Sequence, residues 1–146
     1  MSDTHSKTKF MGELPKAEQI VYDILSQNVG LMADLAQLHL RIKEISQYYD
    51  QVPAVGVKAF KLNYNNENGL EEVVGFCEVV AIGEYESASA KCEDIASQVY
   101  RILNGYGNNV LNEAFNGIET SGYEIMPIDQ DGVYACLAHV AWKLIL

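Results

Sequence analysis

The chain is poor in positive charge and in cysteine, and it has no long apolar run. Ten Lys and Arg stand against twenty Asp and Glu, a formal charge of −10 with a pI near 4.6. That balance opposes electrostatic capture of a polyanion, so a general clamp on DNA, RNA or anionic lipid is not expected. No stretch approaches the roughly 18 apolar residues that span a bilayer, and no membrane partner is expected. Cys77, Cys92 and Cys136 are an odd set, and the N-terminus shows no basic-then-apolar leader, so reduced thiols in a cytosolic setting are the expectation. Neither Cys-x-x-Cys nor His-x-x-x-His occurs, and there is no Gly-x-Ser-x-Gly elbow. Zinc scaffolding and the usual strand-turn-helix serine nucleophile therefore lack their sequence basis.

What is present is a chain of 146 residues, 49% apolar and 21% charged. A chain of this size buries roughly 70% of the surface its unfolded form exposes, enough for one hydrophobic core without staples. Residues 1–12 carry no apolar period and read as a flexible N-terminal arm; residues 13–146 read as one domain. From Pro15, a suitable first helical residue, Ala17, Ile20, Val21, Ile24 and Leu25 recur at helical spacing and predict a helix to about Gln27. Asn28 and Gly30 are stop residues, after which Leu31, Met32, Leu35 and Leu38 can restart a helix. The segment from Leu38 to Tyr49 fits a helix or a strand.

Beyond Pro53 the period changes to two. Val55, Val57 and Ala59 alternate with polar or small residues, and then Phe60, Leu62 and Tyr64 do so in the opposite phase, which predicts a strand with a bulge where the phase shifts. Asn68-Gly69 supplies a tight turn, and Val73 to Ile82 is the returning strand. Ser87 or Ser89 is a candidate cap for a helix whose stripe is Ala88, Cys92, Ile95, Ala96, Val99, Ile102 and Leu103. Asn104-Gly105 ends it, the Asn- and Gly-rich residues 105–117 follow as a loop, and a hairpin closes the chain through Asp129-Gln-Asp-Gly132. The last strand, Val133 to Leu146, is apolar on both faces. It is therefore expected in the middle of the sheet with a second subunit against one side, or sandwiched within the monomer. The fold class is α+β, a mainly antiparallel sheet of about four strands with two or three helices on one face.

The chemical motifs are fragments. Cys136 and His139 are three residues apart on a strand and point to opposite faces, which is wrong for a metal pair. Asp129 and Asp131 resemble part of a calcium loop, but its terminal carboxylates are missing. Gly105-Tyr-Gly107 follows a helix instead of opening one, the reverse of a phosphate loop. Glu71, Glu72, Glu78, Glu84, Glu86, Glu93 and Asp94 are dense enough to hold a catalytic carboxylate pair, but in an acidic chain such density is ordinarily a solvated surface. No catalytic residue, metal or cofactor is assigned.

One pattern is more specific. The run from Phe76 to Leu103 joins an alternating apolar strand (Phe76, Val79, Val80, Ile82) to a polar break, Ser87 and Ser89, and a helix of the form Ala88, Ile95-Ala96, Val99, Leu103. With the opening helix bearing Ile20, Val21, Ile24 and Leu25, and with Asp131-Gly132 before a long closing strand, this element order resembles the tail terminator proteins of long-tailed bacteriophages. The resemblance covers about residues 15–146. It implies a non-catalytic subunit, made in the host cytoplasm and located in the virion's tail or neck. Such a subunit forms a homo-hexameric ring on the tail tube protein, stops tube growth, and presents a surface to the head-tail connector or neck protein while DNA passes without specific binding. Phe60, Tyr64, His139 and Trp142 are candidates for the subunit or tube interface, and Glu67, Glu71 and Glu72 in the long hairpin for an acidic lumen or ring face. Two other readings are another neck or connector subunit, and a small ferredoxin-like ligand-binding domain or enzyme using the acidic cluster and His139.

Overall fold

Ala17, Val21, Ile24 and Leu25 line up on one side of α1 (Glu13–Ser26) and are all buried. The computed structural model describes residues 12–41, 45–48, 51–106, 115–130 and 133–146. The arm reading therefore falls outside the described residues apart from Gly12, as do most of the Asn-rich loop and the Asp131-Gly132 turn. α1 begins two residues before Pro15, which sits in the first turn where its missing N–H costs no helical bond. Gln27 ends α1, and Asn28 starts the next helix. Its side-chain oxygen accepts from the Leu31 N–H at 2.9 Å and caps α2 (Val29–Asp34).

The ambiguous segment contains β1 (Gln37–His39) and a single 3₁₀ turn (Ile45–Tyr48). β2 (Ala54–Asn65) and β3 (Gly69–Ile82) form a long antiparallel hairpin, with a register shift between Ala59 and Lys61 where the apolar phase changes. Gly69, at φ 79°, makes the turn. α3 (Tyr85–Leu103) buries Ala88, Cys92, Ile95, Ala96, Val99 and Leu103, and the chain leaves it through Asn104 and Gly105, at φ 72°. β4 (Gly117–Gln130) and β5 (Val133–Ile145) close the fold.

The sheet order is β1-β2-β3-β5-β4. β1 runs parallel to β2 and every other pair is antiparallel. The class is the expected α+β, with five strands instead of about four, the addition being the short β1. As its two apolar faces require, β5 is internal, between β3 and β4. Its Tyr134, Cys136, Ala138, Val140, Trp142 and Leu144 side packs with α1 and α3 in the main core. Expectation and structure differ at the cap of α3. Glu84 occupies the cap position without a side-chain bond. Ser87, already inside the first turn, donates its hydroxyl back to the Glu84 carbonyl at 3.1 Å, and Ser89 pairs with the Tyr134 hydroxyl at 3.2 Å. A serine inside the turn has no free amide ahead of it to accept from, so its oxygen turns backward.

Candidate functional site

The helices cover one face of the sheet; the other carries the exposed chemistry. At one end of this open face Tyr48, from the 3₁₀ turn, is fully buried against Ala54, Val80 and Leu137, with Val52, Ile82, Met126 and Ile128 around them. The strand residues are thus covered there by the subunit itself. Towards the other end the cover stops. Phe60 stands at the β2 bulge, 52% exposed. Its ring lies 5.8 Å from that of Phe76, and Phe76 lies 4.5 Å from the His139 ring, so three rings cross β2, β3 and β5.

The His139 ring also belongs to an acid-imidazole pair. Glu78 Oε2 and His139 Nε2 are 2.7 Å apart. Glu78 is buried to 8% exposure, while the His139 side chain is 36% exposed. The register produces this: Gly56 faces Glu78, Glu78 faces His139, and His139 faces Glu124 across four neighbouring strands. A buried carboxylate needs a donor, and His139 supplies it to Glu78 when its Nε2 carries a proton. The pair can anchor a polar contact in an otherwise aromatic patch. Among the described residues no cluster of three His, Cys, Asp or Glu is placed to hold a metal ion.

The candidate residues separate. Phe60 and His139 lie together on the open face. Tyr64, 64% exposed, stands near the tip of the β2–β3 hairpin with Glu67 and Glu71, both exposed. Glu72 is held back: it accepts from the Asn63 amide at 2.7 Å and lies 4.0 Å from Lys143 Nζ. Trp142 belongs elsewhere. It is 1% exposed on the helix face and packs on Gly75, where an added Cβ would come within 2.3 Å of the indole. It is a core residue of the subunit and offers no surface to a neighbour. Residues of β5 alternate strictly, so Trp142 and His139, three apart, lie on opposite faces. Sequence reasoning missed Phe76 and singled out Glu78 only as one acid among seven. The signal available was alternation, since Phe76, Glu78 and Val80 share a phase in β3.

The cysteines lie in the main core, unpaired and buried. Burial pushes the Cys77 thiol well above its ordinary range, with the Trp142 indole working slightly the other way. Burial does the same for Cys92, reinforced by neighbouring Cys136. They are inert small hydrophobes. No helix among the described residues is long and apolar enough to cross a membrane.

No protein-family model matches the chain, and no curated protein matches it in sequence. Solved structures do match in fold. The gp17 protein of bacteriophage SPP1 superposes with a TM-score of 0.53 at 18% identity, covering 90% of each chain. A chain of the native gene transfer agent virion superposes with a TM-score of 0.55 at 11% identity, covering 86% of this chain and 90% of its own. At these identities the likeness is one of fold.

Proposed function

We propose that this chain is a structural virion protein of the phage tail or neck, of the tail terminator type and without catalysis. One observation carries the reading: the fold extends over nearly the whole of a phage protein and of a gene transfer agent virion component. The element order from Phe76 to Leu103 points the same way. In this reading the subunit forms a homo-hexameric ring on the last ring of tail tube protein, ends tube growth, and offers its far side to the connector or neck protein.

The open face and the hairpin tip suit such work. A closed ring needs two different complementary patches on every subunit. Phe60, Phe76 and half-exposed His139 make an aromatic patch with a polar anchor, the composition favoured at the centre of an interface. Tyr64, Glu67 and Glu71 form a projecting acidic tip. On the lumen or ring face, such acids repel a passing duplex and keep it from sticking.

Light scattering across concentration, with negative-stain images of the same samples and of samples mixed with tail tubes, tests the proposal. Particles near six times the 16.2 kDa chain mass, and tubes capped at one end, are expected. A monomer at every concentration that also leaves tube ends uncapped overturns it. Cross-links placing Glu67 and Glu71 on the outer circumference overturn the lumen assignment alone.

A further inference from the structure

The two long edges of the sheet carry opposite charge. β1 covers β2 only from Ala54 to Gly56, so among the described residues the outer edge of β2 has no strand partner from Val57 onward. Lys58 and Lys61, both exposed, project from this stretch on the open face, opposite Phe76 and Val74. Arg41 joins Lys58 in lining a groove with Leu14, Pro15, Glu18 and Ala59. At the far side of the sheet β4 is the other edge strand. It carries Glu119, Glu124 and Asp129, all exposed, and no Lys or Arg. Glu119 and Glu124 also project from the open face, opposite Lys143 and His139. Among the described residues neither Lys58, Lys61 and Arg41 nor Glu119, Glu124 and Asp129 form an ion pair.

We infer that these edges are the two halves of one heterologous contact, in which the acidic β4 edge of a second copy of this chain seats against the basic β2 edge of the first. The inference rests on the ring reading above and names the surface that makes the ring. Strand direction allows it. β2 and β4 run antiparallel to each other within the sheet, because β3 and β5 intervene with alternating sense. A rotation about an axis along the strands preserves each direction, so the junction is antiparallel and the open faces of successive copies stay on one side. Lys61 is then level with Glu119, and Lys58 lies between the levels of Glu119 and Glu124, where opposite charges attract as direct and diagonal cross-strand neighbours. Phe60, 52% exposed on the first edge, supplies apolar area beside them.

Some backbone groups on each edge are already used. Glu18 Oε2 accepts from the Ala59 N–H at 3.0 Å. Ile118 exchanges bonds with Gly105 and Tyr106 at 3.2 and 2.8 Å. At Ala59 on β2 and at Ile118 on β4 the junction is therefore carried by side chains and not by a continuous backbone ladder. The use of one amide and one β4 residue at fixed places also limits how far the register can slip.

The test uses three full-length variants: Lys58→Glu with Lys61→Glu, Glu119→Lys with Glu124→Lys, and all four together. All four positions are exposed, so folding is expected to be unchanged, which circular dichroism checks. By light scattering, each single-edge reversal should raise the half-assembly concentration at least about tenfold, and the four-fold swap should return it to within about threefold of the original. Assembly of the original chain should weaken with salt. As a second measurement independent of ring stability, Lys61→Cys protein mixed with Glu119→Cys protein should form a disulfide dimer on mild oxidation, because the two positions lie level across the sheet register, and Lys61→Cys with Glu86→Cys should not. Rings that survive both reversals, or no selectivity between the two cysteine pairs, overturn the edge contact and leave the ring reading standing. A selective cross-link in a chain that never forms rings leaves the edge contact standing and overturns the ring.

Discussion

At the scale of single residues, Gly75 and Trp142 decide the packing of the main core. A Cβ at Gly75 would lie 2.3 Å from the Lys58 carbonyl oxygen and 2.3 Å from the Trp142 ring. The carbonyl is part of the β2–β3 ladder and cannot withdraw, so the indole or the strand must shift. Gly75→Ala should therefore cost about 1–3 kcal/mol, as overpacking of a filled core does. It should appear as a lower urea midpoint with an unchanged slope; a midpoint that does not move refutes the tight packing. Alternation along β5 was legible, but the use of its faces was not. Which face meets α1 and α3, and whether Gly75 stands opposite Trp142, depend on register across strands. For the same reason the Glu78–His139 pair, 61 positions apart in the chain, was visible only as two residues of suitable type.

At the scale of elements, the β2 bulge shows a local signal completed by a distant partner. The change of apolar phase at Ala59-Phe60 is in the sequence, and the register shift lies there. The amide beside the shift is satisfied by α1, where Glu18, 7% exposed, reaches across 41 positions to Ala59. Glu18→Ala should leave that buried N–H unpaired and cost about 1–3 kcal/mol, whereas Glu18→Gln keeps an acceptor and should lose well under half as much. Denaturation midpoints of the two variants, with amide exchange at Ala59, check this, and equal losses exclude the hydrogen bond as the cause. The sequence leaves Glu18 without an assigned role, because nothing in its own neighbourhood specifies a partner. The start of α3 failed differently. Either of two serines fitted a cap, and the chain bend at Gly83, at φ 146°, set the helix beginning upstream of both.

At the scale of the whole molecule, the buried thiols tie stability to pH. Cys77 and Cys92 ionise near pH 9 in an unfolded chain, whereas burial in the fold moves both far above that value. Above about pH 9 the unfolded chain therefore binds fewer protons than the folded one, and stability falls as pH rises. The slope approaches about 1.4 kcal/mol per pH unit per thiol, and below pH 9 these groups contribute none. Subtracting the denaturation profile of a Cys77→Ala, Cys92→Ala variant isolates this contribution from other groups titrating there; parallel profiles from pH 8 to 10.5 overturn it. By itself the sequence determined the helix stripes, the strand alternation, the hairpin turns and the acidic balance, because each is set by residues within a few positions of one another. It also determined the element order that resembles tail terminators. Only the tertiary structure decided that β3 is the second neighbour of β5, that Trp142 points inward and His139 outward, and that Lys58 and Lys61 line the opposite sheet edge from Glu119 and Glu124. Those are through-space choices, made by pairing register and by which face the helices cover, and no local period encodes them.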